Sequence, residues 1–282
     1  VIVSAPAKIN LSLRVLGRRD DGFHAIKSLM VPISLCDTLE ITPRAEVGLE
    51  FLCDDPSLPT DDTNLVVRAA KLFCSSQKRE PKVRIELQKK IPHGAGLGGG
   101  SSDAAATLLG LDALFATRLP LETLSGLAAQ LGSDVPFFLH GRAATVSGRG
   151  ELVTPCNFPQ TLPLLLIKPP FGVPTPWAYQ RWRDSKEIPG VSYAAQSFPW
   201  GELVNDLERP VFEKYVFLAQ LKTWLLKQPE VAGALMSGSG ATVLGVLREK
   251  NHGANLAERV RAEFGTSLWT AVCETMPTGG ES

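Results

Sequence analysis

Residues 91–105 read IPHGAGLGGGSSDAA, and five of the seven positions from Gly94 to Gly100 are glycine. Two serines, Ser101 and Ser102, follow at once and open an Ala- and Leu-rich run that extends to Phe115. So dense a glycine run costs conformational entropy on folding, so the chain must need backbone without Cβ atoms at this point. The use that fits is an anion cradle, in which main-chain N–H groups converge on a polyphosphate. The positive end of a helix then adds to the field, and the serine hydroxyls supply further donors. A flexible turn before a helix is the plain alternative, but flexibility does not call for two adjoining serines. Gly94, Gly96 and Gly99 formally meet the dinucleotide pattern G-x-G-x-x-G. That pattern wants an acidic residue about twenty positions later, where this chain has the Leu-rich start of another helix around Leu119 to Leu124. The P-loop pattern fails as well, since Gly100 stands where its Lys is required, and the protein-kinase motifs D-F-G and H-R-D are absent.

Composition bounds what the cradle can serve. The 282 residues suffice for one large or two ordinary domains, and 44% hydrophobic with 21% charged residues is the balance of a folded chain. The 29 basic residues match the 29 acidic ones, so no general attraction draws the chain to nucleic acid or to an anionic membrane. Phosphate chemistry must come from local placement, with a small molecule as partner. The five cysteines, Cys36, Cys53, Cys74, Cys156 and Cys273, are odd in number and never spaced C-x-x-C, which indicates neither a disulfide framework nor a metal cluster. Near the N-terminus the apolar run is broken by Lys8 and Asn10, well short of the ~18 apolar residues of a membrane span. These features predict a soluble cytoplasmic protein.

Along the chain, Val3–Leu16 and His24–Thr42 are rich in β-branched residues and predict strands or strand pairs, joined by a loop at Gly17–Gly22. Asn64 is placed to cap a helix carrying Leu65, Ala69, Leu72 and Phe73, and Val83, Ile85 and Leu87 alternate as a strand. Helices are expected at Ser101–Phe115 and at Leu121–Leu131, the latter stopping at Gly132, with short strands near Ala143–Val146 and Leu152–Val153. The second half predicts strands at Leu164–Ile167, Thr242–Leu247 and Ser267–Cys273, and helices near Val211–Leu226 and Ala254–Phe264. Strands and helices alternate without a steady βαβ rhythm, so two α+β domains are predicted, residues 1–157 and 158–282, divided at the polar, Pro-containing Cys156–Gln160.

The central stretch resembles the middle motif P-x-x-x-G-L-G-S/G-S-S of the galactokinase, homoserine kinase, mevalonate kinase and phosphomevalonate kinase superfamily. Here that motif is Pro92, Gly96, Leu97, Gly98, Gly99 or Gly100, Ser101 and Ser102. Two further motifs of the superfamily stand in order, SAPAKINL (Ser4–Leu11) and SGSGATV (Ser237–Val243). The resemblance implies a two-domain α+β small-molecule kinase fold with its active site in the cleft between the domains, ATP with Mg2+, and a second glycine loop beside the first. The combination PAKINLSL, DGFH, GLGGGSSDAA, GSDVPFF and PTPWAY is similar to the branch acting in the non-mevalonate isoprenoid pathway, whose substrate carries a cytidine diphosphate group. Competing readings are another kinase of the superfamily, of homoserine or mevalonate type, and a nucleotide-binding module without catalysis.

Residue by residue, the resemblance assigns Pro92, His93, Gly94, Ala95, Gly96, Leu97, Gly98, Gly99, Gly100, Ser101 and Ser102 to the ATP site, with Ser102 also the candidate metal contact. Asp134 matches a general base; on the residues alone it reads first as a helix cap ahead of Pro136, and the resemblance reverses that order. Lys8 matches its electrostatic partner, against an edge lysine facing solvent. Phe23 and Tyr179 match a pair of rings that sandwich the cytosine, although the position of Phe23 is usually Tyr in the family and its hydroxyl is missing here. His24 would hydrogen-bond the base edge, Asn10 and Thr175 complete the substrate set, and Asn64 matches a residue near the adenine.

Overall fold

In the computed structural model, which describes residues 1–277, the two N-terminal runs fold as single long strands, β1 (Ile2–Arg18) and β2 (His24–Pro43). Seventeen and twenty residues are more than one small core covers, and each strand is shared between two compact units. Unit 1 consists of Val1–Ala7, Leu35–His93 and Gly98–Gly141; unit 2 takes Lys8–Ser34, Gly94–Leu97 and the chain from Arg142 onward. This differs from the contiguous split at residue 157, because a strand that runs on from one core into another leaves no boundary in the composition.

In unit 1 the C-terminal part of β2 pairs antiparallel with β4 (Lys82–Gln88), from Thr38 opposite Gln88 to Pro43 opposite Val83, and β3 (Gly48–Cys53) pairs parallel to β4. The helices are α1 (Leu65–Ser76), α2 (Gly99–Phe115), α3 (Leu121–Leu131) and α4 (Val135–Leu139). An apolar stripe of α1, with Val66, Ala69, Ala70 and Phe73, is buried. Helix α2 is buried over most of its surface, and its small residues let it lie close to its neighbours. A Cβ at Gly110 would meet Ile41 Cδ1 at 2.5 Å and Val3 Cγ2 at 3.0 Å.

In unit 2 the N-terminal part of β2 pairs antiparallel with β5 (Ala144–Gly148), which pairs with β6 (Leu152–Pro155). Strands β8 (Gln196–Phe198) and β9 (Gly201–Asn205) form a hairpin, and β9 runs parallel to β1 with Ser12 opposite Val204. A second, antiparallel sheet has the order β10 (Val231–Met236), β11 (Val243–Leu247), β7 (Pro163–Lys168), β12 (Trp269–Glu274). Its helices are α5 (Thr175–Arg181), α6 (Glu208–Lys214), α7 (Val216–Leu226) and α8 (Gly253–Phe264), with Phe212, Leu218, Leu221, Leu225, Leu256 and Val260 in the core. Beneath β10 lies an ion pair in which Lys222 Nζ donates to Glu208 Oε2 at 2.6 Å, while Glu208 Oε1 accepts from Met236 N at 2.9 Å. Burial pushes the Glu208 carboxyl up, and the Lys222 charge opposes it.

The helical pattern Val211–Leu226 proves to be two helices. Tyr215 leaves the helical region at ψ 66°, its ring stacked on Phe171 at 5.5 Å, and that aromatic contact outweighs the continuous periodicity. Strands β3, β8, β9 and β10 and helix α5 were not foreseen; β9 and β8 have only short pairings, and tertiary neighbours define them. Among the described residues no helix is long and apolar enough to cross a membrane.

Asn64 does cap α1: its Oδ1 accepts from Val66 N at 2.9 Å, and its Nδ2 donates to Pro59 O at 2.8 Å. Asn64→Ala is expected to lower stability by about 1 kcal/mol, read as a lower urea midpoint at unchanged slope; an unchanged midpoint would show that the cap contributes nothing.

Candidate active site

Lys8 and Asn10 project from the same face of β1, and both are buried, at 4% and 3% exposure. A solvent-facing edge lysine is thereby excluded. An ammonium taken out of water needs acceptors, and Lys8 Nζ finds Asn10 Oδ1 at 2.8 Å and the Gly96 carbonyl at 3.2 Å. Its backbone N–H donates to Leu97 O at 2.9 Å, which draws β1 alongside the first glycine segment.

Within unit 2 the segment Gly94–Leu97 is locked to the second glycine loop, as the motif order implied. Ser237 Oγ donates to Gly96 O at 3.2 Å and Thr242 N to Ala95 O at 3.3 Å. Gly96 sits at φ +73°, and a Cβ there would lie 2.5 Å from Ser237 O and 2.7 Å from Gly240 O. Ala95 and Leu97 are buried between exposed or half-exposed glycines and anchor the segment, while His93 is exposed and Pro92 half-buried. The second loop is held from behind by Asn205, whose Nδ2 donates to Met236 O and Gly238 O, both at 2.7 Å. Thr175, at the start of α5, shares a 2.7 Å hydrogen bond with Ser239.

In unit 1, Gly98 precedes α2, and Gly99, Gly100, Ser101 and Ser102 form its first turn. Ser102 N donates to Gly98 O at 2.9 Å, yet its buried hydroxyl has no hydrogen-bond partner among the described residues. An orphaned hydroxyl at the start of a glycine-rich helix suits an anion or a hard cation carried by one. The next residue, Asp103, belongs to a buried cluster that sequence reasoning missed. Its Oδ2 accepts from Lys89 Nζ at 2.8 Å, Lys89 also pairs with Asp37, and Asp37 Oδ1 receives Ile91 N at 2.9 Å. Burial pushes the Asp103 carboxyl up to about 7; the Lys89 charge opposes this and the Asp37 charge adds to it. Lys89 rises above the usual amine range, because its two carboxylates outweigh the effect of its own burial. The available signal was charge set beside apolar runs, singly at Asp37 and Asp103 and in the pair Lys89–Lys90.

Asp134 stands between the Gly132 stop of α3 and α4, half-buried. It occupies the N-cap position, but its side chain makes no capping bond. The helix-cap alternative therefore does not account for it.

On the aromatic side, the ring stacked on Tyr179 is His24, with centroids 5.5 Å apart at 28°, and Trp182 meets His24 edge-on at 6.3 Å. Phe23, expected opposite Tyr179, is half exposed and lies under the Arg149 guanidinium at 5.0 Å. The reason is local: Phe23 precedes β2 in a turn where its N–H donates to Asp21 Oδ1 at 3.1 Å, and successive residues on entering a strand face opposite ways. Arg149 and Trp182 had no signal in the motifs. Burial, aided by the Arg18 charge, holds the His24 imidazole below its ordinary range, so near neutral pH one ring nitrogen donates and the other accepts.

Two family models match the chain, the GHMP kinases N terminal domain over residues 64–142 and GHMP kinases C terminal over 196–266. A relative from Methylacidiphilum infernorum (isolate V4), 4-diphosphocytidyl-2-C-methyl-D-erythritol kinase, is 44% identical over 278 residues, 96% of each chain. The chain belongs to that kinase family. A crystal structure of 4-(cytidine 5'-diphospho)-2C-methyl-D-erythritol kinase matches with a TM-score of 0.81 at 37% identity, covering 99% of this chain and 100% of that one. Homoserine kinase from Cytophaga hutchinsonii matches over 98% of this chain and 94% of its own with a TM-score of 0.65 at 19% identity, which shows the shared fold alone. The fold is that of the superfamily identified from the motifs, and the protein is an ATP-dependent small-molecule kinase.

Gly96→Ala should drive a Cβ into two backbone carbonyls that cannot turn aside. It is expected to cost about 1–3 kcal/mol of stability and to weaken ATP binding by about tenfold or more in calorimetry. Unchanged ATP affinity in the folded variant would separate this segment from the phosphate site.

Proposed function

We propose that this chain transfers the γ-phosphate of ATP to the 2-hydroxyl of 4-diphosphocytidyl-2-C-methyl-D-erythritol, a step of the non-mevalonate route to isoprenoid precursors. The observation that carries the reading is the match, nearly end to end, to a relative bearing that substrate in its name. In this reading the backbone N–H groups from Gly94 to Gly100 and the hydroxyls of Ser101 and Ser102 receive the polyphosphate, with Pro92 and His93 leading into the cradle. Asn64 contacts the adenine with the amide hydrogen that capping leaves over. Ser102, whose hydroxyl is orphaned among the described residues, would hold Mg2+, which neutralises phosphate charge when bound.

An alcohol is a poor nucleophile until its proton has somewhere to go. The Asp134 carboxylate accepts that proton as the bond from oxygen to γ-phosphorus forms and the bond to ADP breaks, in one transfer without a covalent enzyme intermediate. The Lys8 ammonium favours the ionised carboxylate and the developing negative charge. On the substrate side, cytosine takes the Tyr179 face that His24 covers in this structure, with Phe23 as the other face. The neutral imidazole moves to the base edge, where one donor and one acceptor read its pattern. Asn10 and Thr175 face the polyol and phosphates.

The first test is ADP release with the cytidyl substrate set against homoserine and mevalonate; release with either of those and not with the cytidyl substrate would overturn the assignment. Asp134→Asn keeps shape and hydrogen bonding but removes the base, so kcat should fall by about a hundredfold or more while calorimetry still detects both substrates. A kcat within about threefold of the parent would remove Asp134 from the mechanism. Tyr179→Ala should raise KM for the cytidyl substrate by roughly tenfold, as loss of one stacking face predicts, with KM for ATP unmoved; the reverse pattern would place the base elsewhere.

A further inference from the structure

We infer that Ser28 is a positioning residue for the reaction, setting the direction of a hydrogen-bond relay that ends on the Lys8 ammonium. The inference rests on the reading of Lys8 as the electrostatic partner in catalysis.

Four groups stand in line inside unit 2. Lys8 Nζ donates to Asn10 Oδ1 at 2.8 Å, Asn10 Nδ2 donates to Ser28 Oγ at 2.7 Å, and Ser28 Oγ donates to Ser12 O at 2.6 Å. Lys8, Asn10 and Ser28 are all buried, Ser28 at 1% exposure, so bulk water does not substitute for a lost partner. The order of donors is forced. A carbonyl only accepts, so the single hydroxyl hydrogen of Ser28 goes to Ser12 O and its lone pairs face Asn10. Asn10 must then turn its NH2 to Ser28 and its carbonyl oxygen to Lys8, which only donates. The opposite amide orientation would set NH2 against the ammonium and leave the Ser12 carbonyl without its donor. The Ser28 hydroxyl therefore locks the amide orientation that Lys8 requires, and with it where the ammonium rests between Asn10 and the Gly96 carbonyl.

The hydroxyl is not the sole tie between β1 and β2, which are neighbours in one sheet. Ser28 is paired with Val146 of β5 through the main chain, and on the side of β1 a separate bond joins Leu29 N to Ser12 Oγ at 3.1 Å. Asn10 is accordingly occupied at both ends of its amide by protein, which gives it a supporting role toward Lys8 besides any contact with substrate.

The experiment is steady-state kinetics on Ser28→Ala, Ser28→Thr, Ser12→Ala and Lys8→Ala, with folding checked by thermal melts. Ser28→Ala should lower kcat by about tenfold while KM for ATP stays within about twofold. Ser28→Thr, which retains the hydroxyl, should recover most of the rate. Ser12→Ala removes a neighbouring hydroxyl but keeps the carbonyl that ends the relay, and should leave kcat unchanged. Should the alanine variant fail to fold, Ser28→Cys reads the same effect with a near-isosteric, weakly bonding group. If Lys8→Ala abolishes turnover while Ser28→Ala matches the parent, or if Ser12→Ala and Ser28→Ala lose rate equally, the relay is wrong. If Lys8→Ala itself turns over normally, the catalytic reading of Lys8 falls instead.

Discussion

The close approach of two backbones at Gly96 is the constraint on which the kinase-like features of unit 2 depend. Its carbonyl oxygen accepts from both the Lys8 ammonium and the Ser237 hydroxyl, while the space a Cβ would fill is taken by the carbonyls of Ser237 and Gly240. Glycine is needed there for two reasons at once, the positive φ and the lack of room. Because the two loops meet so closely, the strand that carries Lys8 can run against the first of them, and a buried ammonium obtains main-chain as well as side-chain acceptors. The rear of the assembly is fixed by Asn205, which holds one carbonyl of the second loop and that of Met236 just before it, and by Thr175 against Ser239. Side chains from three separated stretches of sequence, at Lys8, Asn205 and Ser237, thus converge on a few main-chain atoms.

Buried charge recurs in this protein, each time beside a glycine-rich loop. Glu208 and Lys222 sit below the second glycine loop, and Glu208 grips the N–H of Met236, the residue just before it. Asp37, Lys89 and Asp103 sit below the start of α2, and Asp37 takes the N–H of Ile91, one residue before the glycine-rich motif begins. Burying such groups carries a desolvation cost that packed hydrocarbon would avoid. The return is directional: a carboxylate that accepts from a particular main-chain N–H fixes a loop's departure point in a way that apolar contact does not. Lys8 with Asn10 follows the same principle, the charge being held by a side-chain and a main-chain acceptor.

The aromatic side has a different character. Tyr179, Trp182 and His24 are in ring contact, and Phe23 with Arg149 forms a second, more exposed pair. Flat faces bind a flat base with little selectivity, so discrimination among pyrimidines falls to edges. The His24 imidazole, held neutral by its surroundings, has the mixed donor and acceptor character that such reading requires.

The glycine run from Gly94 to Gly100, the serines after it and the order of the three motifs were legible in the sequence, because each follows from local backbone needs. The cap at Asn64, the alternation in β4 and the stop at Gly132 were legible for the same reason. The sequence by itself therefore determined the fold class and the kinase chemistry. Only the tertiary structure decided that Lys8 is buried rather than at an edge, that His24 and not Phe23 lies on Tyr179, that the helical pattern breaks at Tyr215, and that Asp37, Lys89 and Asp103 form one cluster. Those outcomes depend on contacts between residues far apart in the chain, where burial and the geometry of donors and acceptors outweigh any preference a residue has alone.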